Sequence, residues 1–133
     1  MREIELTGIS IDKLEDKIEE LSKTDKYKSD HNKLVCFRGI STLSAMTIIT
    51  EIGPIKRFKH PKNLTSYAGL DLREYSSGGN ERRYGITKAG NKRLRTILIE
   101  CCQTIYPYKT LNKRLKKVRT GIDLKVINIA EKC

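Results

Sequence analysis

A mainly α-helical domain with a helix-hairpin-helix motif, preceded by an N-terminal amphipathic, coiled-coil-like helix, is the fold class that this 133-residue chain predicts. Three observations carry that prediction. Apolar residues recur at helical spacing in several segments, only 3 prolines interrupt the chain, and a Gly39-Ile40-Ser41 turn separates two apolar runs. The hydrophobic fraction of 38%, rich in Ile and Leu, suffices for one domain with a modest core.

The formal net charge of +11 is unevenly placed. Residues 1–33 hold 7 Lys/Arg against 9 Asp/Glu, leaving 20 against 7 for residues 34–133. That asymmetry implies a polyanionic partner for the second part, nucleic acid ahead of an acidic membrane surface, because no basic helix with an aromatic face is evident. The bland alternative is a solvated basic surface. No apolar run approaches the ~18 residues of a membrane span. Met1-Arg2-Glu3-Ile4-Glu5 lacks the apolar core of a signal peptide, so a cytoplasmic protein is expected, without a membrane partner. Cys36, Cys101, Cys102 and Cys133 form no CxxC pair, and only His31 and His60 could join them. Buried or free thiols are therefore expected instead of a zinc site.

Residues 1–33 read as a helical arm and linker. Ile11, Leu14, Ile18 and Leu21 fall at heptad-like spacing among charged residues, with Asp12 and Glu15 as a capping box at the helix start. The stripe is too short to be stable alone, so it reads as the end of a longer helical arm or as one side of an intramolecular hairpin, and a homo-oligomer through this helix is expected. Ser22 to Lys33 is polar and reads as a linker or a solvated helical extension.

Residues 34–133 read as the domain. Leu34 to Phe37, the Gly39-Ile40-Ser41 turn, and a helix with Leu43, Met46, Ile48, Ile49 and Ile52 inward and Gly53-Pro54 as its stop fit a helix-hairpin-helix. Such a turn aims backbone N–H groups at one DNA phosphate, which makes Arg38, Gly39 and Ser41 candidate contacts, with Ser41 also a good N-cap. A plain αα-hairpin used for packing is the alternative. A short helix starts near Pro61 and ends at Gly69, burying Leu64, Tyr67 and Ala68. Asn91 to Ile105 is a longer one, with Leu94, Ile97, Leu98, Cys101 and Ile105 on one stripe. Lys92, Arg93 and Arg95 near its start oppose the macrodipole unless an anion sits there. Beyond Pro107, Lys109 to Arg119 is a basic helix in which Lys113, Arg114, Lys116 and Lys117 could lie along a nucleic-acid backbone. Gly121 ends it, and Leu124 to Ala130 starts another apolar helix.

The chemistry-bearing stretch is Tyr75-Ser76-Ser77-Gly78-Gly79-Asn80 with the run Glu81 to Asn91. Two hydroxyls precede two glycines, and Arg82, Arg83 and Lys88 follow, as a hydroxyl facing a phosphodiester would need. It is read as a candidate active-site loop.

Arg38-Gly39-Ile40-Ser41, Ala45, Glu51-Ile52-Gly53, Phe58, Tyr67-Ala68-Gly69-Leu70, Ser76-Ser77-Gly78 and Ile86-Thr87-Lys88-Ala89-Gly90-Asn91-Lys92-Arg93-Leu94-Arg95 resemble, in order and spacing, the C-terminal domain of DEDD-type insertion-sequence transposases of the IS one-ten group. The match runs from about Leu34 onward. It implies a DNA recombinase with a split active site, in which an N-terminal RuvC-like nuclease domain holds Mg2+ on four acids and the C-terminal domain supplies a serine that becomes joined to a DNA 5′-phosphate. It also implies a structured guide RNA as a partner. Carried over, the nucleophile is Ser77, with Ser76 as the fallback, and Asn91, in the Thr-Lys-Ala-Gly-Asn block, is expected to contact nucleic acid beside the cations. Residues 1–33 show no RuvC-like pattern, so the chain is expected to be an isolated C-terminal domain that binds DNA without cutting it, with no cofactor of its own. A rival reading is a non-catalytic helix-hairpin-helix module in which Ser76 to Gly79 is only a turn, and a third places the nucleophile at Tyr84 or Tyr75.

Overall fold

A computed structural model describes the backbone of residues 2–77, 80–105 and 113–132, and their side chains except those of residues 2–7, 9, 73–77 and 80–84. Helix α1 (Arg2–Ser22) leads into α2 (Asp25–Leu34), and after a turn comes α3 (Thr42–Ile52). A single 3-10 turn (Ile55–Arg57) precedes α4 (Pro61–Ala68). Strands β1 (Leu72–Ser77) and β2 (Asn80–Ile86) form an antiparallel pair, followed by α5 (Lys92–Ile105), α6 (Lys113–Arg119) and α7 (Leu124–Lys132). The mainly helical class expected from the apolar spacing is what the chain adopts.

The core forms where α3, α4 and α5 meet. Ile48 and Ile52 of α3, Ala68 of α4 and Leu94 of α5 are its buried centre, ringed by Leu34, Ile40, Phe58, Leu64, Tyr67, Leu70, Ile97 and Leu98. Full burial of a side chain the size of Leu94 stabilises by about 1.5–3 kcal/mol. Of the residues expected inward on α3, Leu43 instead lies exposed.

Of the sequence readings of the arm, the capping box changes, and of the two readings of Ser22 to Lys33 the helical one is adopted. Asp12 is not a cap, since α1 already runs from Arg2 and the N–H groups around Asp12 lie inside the helix. The polar stretch after Ser22 is largely helix: α2 packs against α3 although none of its residues is buried. Along α1, which packs against α2 and α3, Ile11, Leu14 and Leu21 are exposed while Ile18 is half-buried.

The junction of α4 and α5 is the most closely built point. Past α4, Gly69 takes a left-handed conformation (φ 69°), and the bonds Gly69 N–H to Ser66 O (2.9 Å) and Leu70 N–H to Thr65 O (2.9 Å) close a Schellman motif. A Cβ at Gly90 would strike the Tyr67 carbonyl and the Gly69 nitrogen, so only glycine lets α5 start there.

Candidate nucleic-acid interface

The stretch read as an active-site loop is a β-ribbon up to and after its two glycines. Gly78 and Gly79 themselves lie outside the described residues. Two runs separated by Gly-Gly are a hairpin signal, masked in the sequence by the Ser/Gly composition that loops share. Ser77 pairs with Asn80, Ser76 with Glu81, Tyr75 with Arg82, Glu74 with Arg83 and Arg73 with Tyr84. Gly85 is the extra residue of a bulge before Leu72 meets Ile86. Directly opposed residues share a face of an antiparallel pair, and faces alternate along each strand. Ser77 therefore belongs to the face of Arg73, Tyr75, Asn80, Arg82 and Tyr84, and Ser76 to the face of Glu74, Glu81 and Arg83.

The base of this ribbon is fixed to the core. Thr87 N–H donates to Asp71 O (2.8 Å), Lys88 N–H to Gly69 O (3.0 Å) and Asn91 N–H to Tyr67 O (2.8 Å), while Thr65 Oγ1 donates to Asp71 Oδ1 (2.8 Å). At ~3.3 Å per residue, the six residues of β1 carry Ser77 roughly 20 Å along the strand from this clamp.

Around the start of α5, the residues expected to contact nucleic acid divide. Asn91 caps α5 through Oδ1, which accepts from Leu94 N–H (2.9 Å), and its Nδ2 donates to Glu51 Oε2 (2.7 Å). Arg95 turns its guanidinium back onto the Ala68 carbonyl (2.9 Å). Arg93 reaches Glu51 at 3.6 Å yet keeps a side chain 84% exposed. Lys92 and Lys88 are exposed, Lys88 at a φ of 56°. Asn91 and Arg95 thus act on the fold, and Lys88, Lys92 and Arg93 present charge to solvent.

A second group meets at the far end of α5. Arg38, Gly39 and Ser41 of the α2–α3 turn, Thr104 and Ile105 of α5, and Arg114, Leu115 and Val118 of α6 line a cleft of about 480 Å³ with Val35, Phe37 and Ile40. Ser41 caps α3 as expected, its Oγ accepting from Ser44 N–H (3.2 Å). Gly39 (φ 76°) packs its Cα against the Cys101 carbonyl of α5. This leaves Arg38, Ser41 and Arg114 around one opening with an apolar floor.

On α6, Lys113, Arg114, Lys116 and Lys117 are exposed, and Lys109 lies outside the described residues. Arg119 is 8% exposed and does something else: its Nε and Nη2 both donate to the Cys36 carbonyl (3.2 Å each) and Nη1 to Glu131 (3.0 Å). Burial raises the Cys36 thiol above its ordinary value, partly offset by the Arg119 charge. Cys101 is raised for the same first reason, desolvation. Unanticipated in the sequence is the exposed set Lys56, Arg57, Lys59 and Lys62, although no acid occurs from Ile52 to Leu70.

Among the described residues no helix is long and apolar enough to cross a membrane, and no group of three His, Cys, Asp or Glu side chains could hold a metal ion. The family model described as the transposase IS116/IS110/IS902 family matches residues 32–117. The chain is 42% identical over 86 residues to y4qE, a transposase relative from Sinorhizobium fredii, covering 64% of this chain and 22% of that protein. It is 33% identical over 99 residues to the transposase for insertion sequence element IS1111A of Coxiella burnetii, covering 74% and 27%. With the transposase for insertion sequence element IS1328 of Yersinia enterocolitica, identity is 34% over 71 residues, covering 53% and 21%. The chain thus spans about a quarter of the length of these curated relatives.

Proposed function

The chain belongs to the IS116/IS110/IS902 family of transposases, and from that premise we propose that it is the DNA-binding, serine-bearing part of a transposase in which Ser77 is the nucleophile. The Ser77 hydroxyl attacks a DNA phosphorus, the P–O3′ bond breaks, and the 3′-oxygen leaves with a proton while the 5′-phosphate stays on the serine. The observation that carries this reading is the ribbon register. The Ser77 face holds two arginines and no acid, whereas the Ser76 face holds two glutamates against one arginine. A phosphodiester is attracted to the first and repelled by the second.

The resemblance places Mg2+ on carboxylates of a RuvC-like domain. The described residues of this chain offer no donor set for it, so no step here runs through the ion. What these residues do is bind and orient. Arg82 on the Ser77 face of β2, Lys88, Lys92 and Arg93 near the ribbon base, and Arg38, Arg114, Lys113, Lys116 and Lys117 at the far cleft contact phosphates, with the Gly39-Ile40-Ser41 turn as the helix-hairpin-helix contact. Arg83 lies opposite Glu74 on the other face and stands apart from that set. The two groups lie at opposite ends of α5, roughly 20 Å apart at 1.5 Å per residue, which is about six base pairs of duplex. In the whole protein a guide RNA joins the DNA, assembly runs through the exposed Ile11, Leu14 and Leu21 of α1, and the protein works in the cytoplasm.

The second reading, a non-catalytic helix-hairpin-helix module, is favoured by the cleft, which gathers Arg38, Ser41 and Arg114 without needing a nucleophile. Covalent protein–DNA adduct formation separates the two, assayed in a transposase of the relatives' full length that carries these residues. Ser77→Ala is expected to abolish the adduct and Ser76→Ala to keep it; an adduct that survives Ser77→Ala rejects the assignment.

A further inference from the structure

We propose that the 3-10 turn and the start of α4 form a second phosphodiester-binding surface, a ridge on which Lys56, Arg57, Lys59 and Lys62 follow the backbone of a DNA duplex beside Lys92 and Arg93 of α5. The inference rests on reading the chain as DNA-binding and adds residues which that reading does not use. Four Lys/Arg and His60 fall within residues 56–62, and all of them are exposed.

Side-chain contacts join the two parts of the ridge. The Arg57 guanidinium lies 4.6 Å from the Phe58 ring centroid and 4.5 Å from that of Tyr67. Tyr67 donates its hydroxyl to the Glu51 carbonyl (3.1 Å), and the Glu51 carboxylate takes Asn91 Nδ2 (2.7 Å) and Arg93 Nη1 (3.6 Å). Arg57 and Arg93 therefore flank one packed Tyr67–Glu51–Asn91 network. The acid of this surface is already engaged from both sides, so it leaves the lysines unneutralised. Stacking holds Arg57 in place before any ligand arrives, which lowers the ordering cost of a contact.

Helix ends add to the same field. The first turns of α4 and α5 carry Lys62, Lys92 and Arg93 and no acid; at α5 the Glu51 carboxylate reaches in from α3 to Asn91 and Arg93, and no acid within either turn offsets the positive ends of the dipoles in full. An anionic backbone lying across them would. The occupant is a duplex and not an unpaired strand, because Phe58 and Tyr67 pack on each other (5.5 Å, 57°) and Arg57 occupies a face of both. That leaves no open aromatic platform on which unpaired bases would stack.

The test is a titration of fluorescent duplex DNA of mixed sequence by the 133-residue chain, at salt from about 50 mM to 200 mM. Lys59→Ala/Lys62→Ala is expected to weaken binding alike on every duplex and to make the slope of log K against log salt shallower by about 2, since each lost contact removes about 0.9. Circular dichroism checks the fold, and Lys59→Gln/Lys62→Gln replaces the pair should alanine disturb it. Unchanged affinity and slope would overturn the ridge, as would a loss confined to a structured RNA probe. Lys116→Ala/Lys117→Ala on α6 separates the two claims: weakening there with none at the ridge rejects the ridge alone, and a parent chain that ignores duplex DNA rejects both.

Discussion

Gly90 and Asn91 show how much of the site's foundation rests on single residues. With Gly90 pressed against the Tyr67 carbonyl and the Gly69 nitrogen, Gly90→Ala should cost about 2–3 kcal/mol, read by urea unfolding, and loosen the ribbon base with it. In the sequence this glycine looks like one more loop residue, because the backbone it touches is more than twenty positions earlier. Asn91 and Arg95 mislead for the same reason. They stand among cations in a block that suggests phosphate, while their partners, Glu51 and the Ala68 carbonyl, are distant in sequence and invisible to local pattern. The buried thiols carry a pH signature. Cys36 and Cys101 are raised above the ordinary 9.0 by desolvation, so the unfolded chain ionises first as pH rises. Stability they provide is full below about pH 9 and falls as pH climbs through their folded values, by up to about 1.4 kcal/mol per unit per thiol. Unfolding curves between pH 8 and 10 should show that loss, and Cys36→Ala should reduce it.

Among elements, those with punctuation were legible. Pro61 and Gly69 bracket α4, Asn91 opens α5, and Ser41 caps α3, each by side-chain or backbone chemistry local to the residue. The ribbon was not legible as strands, since Ser-Ser-Gly-Gly composition suits any loop, and what pairs the strands is their register. Helix α2 was obscured by its polarity; it gains its place by packing on α3 without burying any of its own residues. One side chain links the C-terminal elements to the rest. Arg119 ties α6 to the α2–α3 turn through two bonds to the Cys36 carbonyl and to α7 through Glu131. Arg119→Ala leaves that carbonyl unpaired and should cost about 1–3 kcal/mol, with hydrogen exchange quickening in α6 and α7 first. Arg119→Lys should not restore it, because an ammonium cannot reproduce a planar fork.

At the scale of the whole molecule, α5 is the spine. The ribbon and its cations are anchored at one end, and the cleft of Arg38, Ser41 and Arg114 opens at the other. A duplex spanning both explains why charge is spread along the domain instead of gathered in one pocket. The uncovered Ile11, Leu14 and Leu21 of α1 should drive self-association, seen as a concentration-dependent mass in sedimentation equilibrium and abolished by Leu14→Asp. The central claim remains the face on which the nucleophile lies. Peptide mapping by mass spectrometry, after nuclease trimming of the covalent adduct formed by a full-length transposase carrying these residues, tests it most directly. The account predicts a nucleotide phosphate on Ser77; one found on Ser76, Tyr75 or Tyr84 would contradict it.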